Sequence, residues 1–260
     1  MASVAALMAP HAAAPTLFTT RHGPVAAEQI GCGPPLILIH GNTMTAASQR
    51  RLAQRLAVHG QVTSIDLLGH GGSARPAGLF SRAYIQWQGE AVADILAQHD
   101  APVVLVGMSV GGMAAANAAL MHPGRVRALV LDGIVRFVDD AIVATHRRQL
   151  AGLAPEWHRA MQRAHGADWW PMLADGVIAA MAALAASHAD AIPGLETLAT
   201  PVLLCQGGAD PFCPPEHHAA IAAALPRARQ VCCATAGHLL AWHAAPAFDA
   251  AVAALLAEHP

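Results

Sequence analysis

Ser109 lies at the centre of the run Gly107-Met108-Ser109-Val110-Gly111, between an apolar segment rich in valine and a helix-forming stretch over 110–121. A serine at a Gly-x-Ser-x-Gly turn between a strand and a helix projects its hydroxyl from a tight bend, and the glycines supply the space that this bend needs. The N–H groups and the positive dipole end of the following helix face the same point, which favours a developing oxyanion. The pattern predicts that Ser109 is a nucleophile.

Two downstream residues suit the partners that such a serine needs. A serine hydroxyl requires a base to take its proton and a third group to orient that base. Asp210 follows a predicted strand after Gly207-Gly208-Ala209, and His238 follows Gly237 after another predicted strand. Because functional groups collect at the carboxyl edge of a parallel sheet, we expect both residues to lie near Ser109.

Other residues compete for these two roles. Asp132 also ends a predicted strand and is the alternative acid, while Asp210 is open to a second interpretation as a turn or capping residue. His243, expected at the start of the last helix, is an alternative base, and His40 and His70 are further alternatives.

Apolar runs alternate with helical stretches along most of the chain. This order predicts an α/β fold with a mostly parallel central sheet and helices on both faces. The predicted parallel strands cover 35–40, 61–66, 102–108, 127–133, 201–207 and 230–234. The predicted helices cover 46–58, 83–99, 110–121, 216–224 and 245–258. Segments 16–20 and 25–30 add an antiparallel hairpin at one edge.

One connection is too long to be a bare loop. Residues 135–200 have helical character and no strand signal, so we expect an inserted helical cap over a core formed by 16–134 and 201–260, with an N-terminal arm over 1–15. The large apolar side chains of the insertion, Met181 among them, either attach it to the core or line a pocket. The residues that we assign to a substrate pocket are Met108, Trp157, Trp169, Trp170 and Met172.

The composition of the 260-residue chain limits the classes of molecule that it is expected to bind. Its net charge of −2, the absence of lysine and the scattered arginines exclude a basic stripe for nucleic acid or a polybasic membrane patch. No segment has about 18 uncharged apolar residues, the length that spans a bilayer. The five cysteines are odd in number and lack paired spacing, which argues against a disulfide framework or a structural zinc site. We therefore expect a cytoplasmic protein that acts on a small molecule.

The chain order Ser109, Asp210, His238 resembles that of the α/β-hydrolase superfamily in its capped, single-domain form. Two further stretches extend the resemblance over nearly the whole chain: His40-Gly41-Asn42 after one strand and Asp66-Leu67-Leu68-Gly69-His70-Gly71-Gly72-Ser73 after the next. The resemblance implies a Ser-His-Asp triad, oxyanion donors from the backbone of Asn42 and Val110, and no metal or organic cofactor. It also implies structural roles for Asp66, His70 and His40.

These motifs predict a serine hydrolase that cleaves a small to medium, mainly apolar ester through an acyl-enzyme. A carbon–carbon bond hydrolase or an enol-lactonase of the same fold is the main alternative. Cofactor-free lyase or peroxidase chemistry and non-hydrolytic ligand binding are further alternatives. Four arginines of the insertion leave a carboxylate-bearing substrate open: Arg147, Arg148, Arg159 and Arg163. A dinucleotide site is excluded, because serine replaces the second glycine of that fingerprint.

Overall fold

The computed structural model describes residues 16–259, so the arm expected over 1–15 lies outside the described residues. Eight strands form one sheet in the order β1-β2-β4-β3-β5-β6-β7-β8. Strands β1 and β2 and the pair β2 and β4 run antiparallel, and the remaining neighbours are parallel. The strands are β1 (Thr16–Thr20), β2 (Gly23–Ile30), β3 (Pro35–Ile39), β4 (Gln61–Ile65), β5 (Val103–Met108), β6 (Val126–Asp132), β7 (Val202–Gly207) and β8 (Arg229–Cys233).

The central strands are continuous apolar runs because both faces of the sheet are covered. All six residues of β5 and of β7 are buried. Successive side chains of a strand point to opposite faces, so Ile37 and Leu105 join one core cluster while Leu38 and Val106 join the other.

Nine helices, described within residues 16–259, cover the two faces. They are α1 (Arg50–Leu56), α2 (Tyr84–Leu96), α3 (Val110–Met121), α4 (Asp140–Ala151), α5 (Pro155–His165), α6 (Trp169–Ser187), α7 (Pro215–Ala224), α8 (Leu240–His243) and α9 (Ala245–Glu258). Helices α2 and α3 contribute to one core cluster, and α1 and α9 contribute to the other. The predicted sheet, its edge hairpin and its two helical layers are confirmed.

Three helices, α4 to α6, lie between β6 and β7 in the region predicted as an insertion. Helix α6 packs against α4 and α5. By length and composition α6 could cross a membrane, although it carries Asp175. Its residues Leu173, Val177 and Ala180 are fully buried in a core cluster, which is the arrangement of a core helix.

Candidate active site

Ser109 occupies the turn between β5 and α3 in a backbone conformation that residues other than glycine rarely adopt. Its φ is 52° and its ψ is −123°. The backbone N–H of Ser109 donates to the carbonyl oxygen of Asp132 at 2.8 Å, which ties the turn to the end of β6. Such strained residues persist only where their surroundings hold them, and they cluster at functional sites.

Two glycines make this turn possible because strand and helix almost touch there. A Cβ atom on Gly107 would lie 2.5 Å from the oxygen of Gly111 and 2.6 Å from Cα of Gly112. A Cβ atom on Gly111 would overlap the carbonyl oxygen of His40. The Gly-x-Ser-x-Gly spacing therefore follows from packing as well as from backbone freedom.

His238 and Asp210 form a hydrogen-bonded pair at the same edge of the sheet. The distance from His238 Nδ1 to Asp210 Oδ2 is 2.7 Å. The second oxygen of Asp210 accepts the N–H groups of Phe212 at 2.7 Å and Cys213 at 3.2 Å. Because a carboxylate only accepts, Nδ1 of His238 carries a proton and Nε2 is left available as a base.

Gly133 brings this pair close to Ser109. A Cβ atom on Gly133 would lie 2.9 Å from Cε1 of His238, so the imidazole packs directly on this glycine. Gly133 and Ser109 line the same pocket. The structure thus gathers Ser109, Asp210 and His238, which are more than 100 residues apart at their extremes, at one edge of the sheet.

Asp132, the alternative acid, is engaged elsewhere. Its two carboxylate oxygens accept the N–H groups of Leu240 and Ala241, each at 2.9 Å, at the start of α8. The side chain is fully buried, and burial raises the pKa of Asp132 to about 6. It is Asp210, not Asp132, that accepts the hydrogen bond from the imidazole of His238. The alternative base His243 lies at the end of α8.

The loop after β3 lies against Ser109, near the two backbone N–H groups that the sequence predicted as oxyanion donors. A Cβ atom on Gly41 would lie 3.2 Å from Cβ of Ser109. Among the described residues, neither the N–H of Asn42 nor that of Val110 donates to a backbone or side-chain acceptor. The Asn42 side chain accepts the hydroxyl of Tyr84 at 2.9 Å, while its Nδ2 is buried without a partner among these residues.

The pocket beside Ser109 is narrow and mainly apolar. Its free volume is about 10 Å³, close to the space of one water molecule. The apolar walls come from α3, the segment after β6, α4 and α6: Met113, Val135, Val138, Ile142 and Met181. His146 of α4 adds a polar group, and Phe212 also lines the pocket.

His146 is linked to His238 through a ring contact. The ring of Phe212 lies 4.5 Å from that of His146 and 4.8 Å from that of His238, measured between centroids. Burial, with a smaller contribution from the charge of His238, lowers the pKa of His146 to about 4. His146 is therefore a neutral imidazole at pH 7.

None of the residues that the sequence assigned to the substrate pocket lines the pocket at Ser109. Met108 points to the opposite face of the sheet, where Gln49 Nε2 lies 3.3 Å from its sulfur. It precedes Ser109 on the strand, and the alternation of side chains sends it away from the pocket. Adjacency to Ser109 in sequence therefore does not bring the Met108 side chain to this pocket.

The other residues that the sequence assigned to the pocket make contacts elsewhere. Trp169 Nε1 donates to the oxygen of Gly69 at 2.7 Å, and Trp170 Nε1 donates to Nδ1 of His158 at 3.2 Å. Trp157 packs on a core cluster, and Met172 is 59% exposed. Sequence reasoning missed Ile142 and His146, whose four-residue spacing on α4 was the available signal for a shared face.

Within residues 16–259, no cluster of His, Cys, Asp and Glu side chains has the geometry of a metal site. A strained serine beside a hydrogen-bonded His-Asp pair, on a mostly parallel sheet, is typical of the nucleophile-elbow hydrolases.

Comparison with known families agrees with this class. A family model described as alpha/beta hydrolase fold matches residues 34–170, which is slightly more than half of the chain. A second model, described as TAP-like protein, matches residues 179–259. The chain belongs to the α/β-hydrolase family, as its motifs predicted.

Individual relatives extend this comparison. A pimeloyl-[acyl-carrier protein] methyl ester esterase from Chromobacterium violaceum is 36% identical over 115 residues, which cover 44% of this chain and 42% of that relative. The match thus spans less than half of the relative's length. A hydrolase structure from Pseudomonas aeruginosa PA01 has a TM-score of 0.74 at 24% identity and covers 95% of this chain and 99% of its own. An enol-lactonase from Burkholderia xenovorans LB400 has a TM-score of 0.72 at 19% identity, with 93% and 100% coverage.

Proposed function

We propose that this protein is a carboxylic ester hydrolase that works through a Ser109 acyl-enzyme. The observation that carries the proposal is the 2.7 Å bond between His238 and Asp210 beside a serine in a strained turn. In this reaction His238 Nε2 takes the proton of Ser109, and Asp210 holds the imidazole in the required tautomer and stabilises its charged form.

The reaction proceeds in two halves. Ser109 Oγ attacks the ester carbonyl, and the developing oxyanion is stabilised by the N–H groups of Asn42 and Val110. The tetrahedral intermediate collapses as His238 protonates the leaving alcohol. A water molecule, deprotonated by His238, then hydrolyses the acyl-enzyme and restores Ser109.

The pocket favours a slender, mainly apolar acyl group. Its apolar walls exclude charged groups near Ser109, since burying an unpaired charge there is costly. His146 provides one neutral polar contact within the same wall. Because α4 and α6 supply part of the wall, we expect these helices to shift when an acyl group enters.

The curated relatives suggest a finer substrate: the methyl ester of an acyl chain attached to an acyl-carrier protein. One surface feature favours a negatively charged carrier. Helices α4 and α5 carry four exposed arginines, none in an ion pair with a carboxylate among the described residues: Arg147, Arg148, Arg159 and Arg163. Opposite charge accelerates encounter between such partners.

Labelling with a fluorophosphonate probe and a substrate screen test the ester hydrolase proposal. We expect the probe to label the wild-type protein and not the Ser109→Ala variant. The screen compares p-nitrophenyl esters of graded chain length with lactones and vinylogous diketones. Turnover of the esters supports the proposal, whereas turnover of a diketone or a lactone alone would favour a carbon–carbon hydrolase or an enol-lactonase. Absence of both labelling and turnover would favour a ligand-binding protein. Lyase or peroxidase activity without ester turnover would also contradict the ester hydrolase proposal.

A second experiment tests the carrier. The same methyl ester is presented on an acyl-carrier protein and as a free dimethyl ester, to the wild type and to a variant with all four arginines changed to alanine. We expect the variant to lose kcat/KM only for the carrier-bound ester, and added salt to reduce the wild-type advantage. The matched control changes four exposed arginines outside α4 and α5 to alanine: Arg51, Arg82, Arg125 and Arg227. An equal loss on both substrates would remove the carrier from the proposal.

A cytoplasmic location belongs to the same proposal. All five cysteines are free in the structure, which suits a reducing compartment.

A further inference from the structure

Thr43 follows the oxyanion residue Asn42 and has a φ of 63°, a left-handed conformation that a β-branched residue rarely adopts. Both backbone polar groups of Thr43 are held by histidines. Its N–H donates to His70 Nε2 at 3.1 Å, and its carbonyl oxygen accepts from His165 Nε2 at 3.1 Å. The Thr43 hydroxyl donates to the oxygen of Asn42 at 2.6 Å.

The two histidines have complementary proton arrangements. His70 Nδ1 donates to the oxygen of Leu68 at 3.0 Å, so its Nε2 accepts from Thr43. His165 Nδ1 accepts the N–H of Gly71 at 3.0 Å, so its Nε2 donates to Thr43. Each ring therefore uses both nitrogens in its neutral form. Burial lowers the pKa of His165 to about 4.

His165 and Thr43 belong to different parts of the fold. His165 is the last residue of α5, one of the three helices between β6 and β7. Its ring stacks on Trp170 of α6 at 5.8 Å, and its carbonyl oxygen accepts from Arg75 at 2.6 Å. The hydrogen bond from His165 to Thr43 thus joins α5, which packs on the pocket-lining helix α6, to the loop that carries Asn42.

We propose that His165 is a positioning residue that couples the packing of α5 on α6 to the alignment of the Asn42 N–H. The inference rests on the proposed function. While α5 is packed in this position, His165 donates to the Thr43 carbonyl oxygen, and the strained backbone at Thr43 keeps the Asn42 N–H directed towards Ser109. When the covering helices shift to admit a substrate, this hold is released, so the oxyanion site is complete only after they return.

The variant His165→Phe tests this coupling because phenylalanine keeps the ring and its stacking on Trp170 while removing both hydrogen bonds. We expect kcat to fall about 10-fold to 100-fold with KM changed less than about 3-fold, since an oxyanion donor acts in the transition state. Binding of a trifluoromethyl ketone, which forms the oxyanion, weakens by a similar factor, and binding of the matching secondary alcohol does not. His165→Gln, which offers an amide donor to Thr43, restores part of kcat.

The control is His158→Phe on the same helix. This variant removes the acceptor of the Trp170 indole and does not touch Thr43. It should leave kcat and trifluoromethyl ketone binding unchanged. An equal kcat loss in both variants would show that disturbing α5 is sufficient and would overturn the specific role of His165.

Hydrogen–deuterium exchange of peptides covering 41–45 provides a measurement that does not depend on turnover. Exchange should accelerate in His165→Phe and remain at the wild-type rate in His158→Phe. Unchanged exchange in His165→Phe would overturn the coupling. If the wild type hydrolyses no ester, the proposed function fails, while the exchange rates still decide whether His165 holds the loop.

Discussion

Two groups of histidines differ in what their ring nitrogens contact. The pocket-side histidines, His146 and His238, both contact Phe212, and the side chain of His238 is 19% exposed with a carboxylate on one nitrogen. The buried histidines, His40, His70 and His165, are at most 1% exposed. Their nitrogens bond to backbone groups on both sides of the ring.

This difference separates proton transfer from positioning. A histidine with one carboxylate partner keeps a nitrogen for a reacting proton, and its charged form is stabilised. A neutral histidine that bonds a backbone group at each nitrogen donates from one nitrogen and accepts at the other. Protonation of the accepting nitrogen breaks the hydrogen bond that it receives from a backbone N–H. We therefore expect changes on the pocket side to act mainly on catalysis and the buried histidines to affect the pH dependence of stability.

The largest expected effect is at the nucleophile on the pocket side. Ser109→Ala should reduce kcat by a factor on the order of 10⁶, the loss known for serine protease triads. His238→Ala should cost about as much, because the two residues act as a unit. Steady-state hydrolysis of the best p-nitrophenyl ester measures both. Near-normal turnover in either variant would contradict the assigned mechanism.

Asp210 and Asp132 should differ in their effects on kcat and on stability. Asp210→Asn should reduce kcat roughly 10⁴-fold, because an amide favours the wrong tautomer of His238. Asp132→Asn should leave kcat within about 10-fold and instead lower stability by about 1 to 3 kcal/mol, since one N–H at the start of α8 loses its acceptor. Turnover and urea unfolding of both variants measure this. If Asp132→Asn instead caused the larger loss of kcat, the role of the triad acid would be assigned to Asp132.

The buried histidines predict a pH-dependent stability. Burial lowers the pKa of His40 to about 3 and that of His165 to about 4, below the ordinary pKa of a histidine, about 6.5. The unfolded chain therefore binds more protons than the folded protein as pH falls from about 6.5 to about 4. Stability should be full above this window and fall within it by up to about 1.4 kcal/mol per pH unit for each such histidine.

Urea unfolding at several pH values measures this slope. Asp132 acts in the opposite direction between about pH 4 and 6, because its folded pKa is raised to about 6 and the folded protein then holds the extra proton. His165→Phe should reduce the slope by about one proton. An unchanged slope in this variant would show that His165 does not stay neutral in the folded protein.

The smallest effect concerns His146. His146→Phe should keep the ring contact with Phe212 and leave kcat for short apolar esters within about 3-fold, while lowering kcat/KM for acyl groups that carry a hydrogen-bonding group by about 10-fold. Paired substrates with and without such a group measure the selectivity. Equal changes on both would show that His146 only fills space.

The sequence predicts most of the sheet because its strands are short β-branched runs separated by glycine-containing turns and apolar helical stretches. The predicted bounds of α3 and α9, and those of β1, are those of the structure, and the other predicted strands differ at their ends by no more than two residues. The positions of Ser109, Asp210 and His238 after strand ends were visible for the same reason: parallel strands end at one edge.

The pocket wall could not be predicted in the same way. Helix α6 is rich in alanine, so its sequence indicates that the segment is helical but specifies weakly which face is covered. Trp169 bonds the loop that follows β4 and Trp170 bonds His158 of α5, whereas Ile142, His146 and Met181 line the pocket with Ser109.

The family, the order of strands and helices, and the residues that could do the chemistry could be predicted from the chain alone, because these depend on local backbone preferences and on chain order. Three features became visible in the folded protein: Asp210 rather than Asp132 bonds His238, a particular set of side chains forms the pocket, and His165 reaches Thr43 from another part of the chain. Those contacts depend on how the covering helices pack on the sheet, and helix packing is set by many small side chains acting together rather than by any motif.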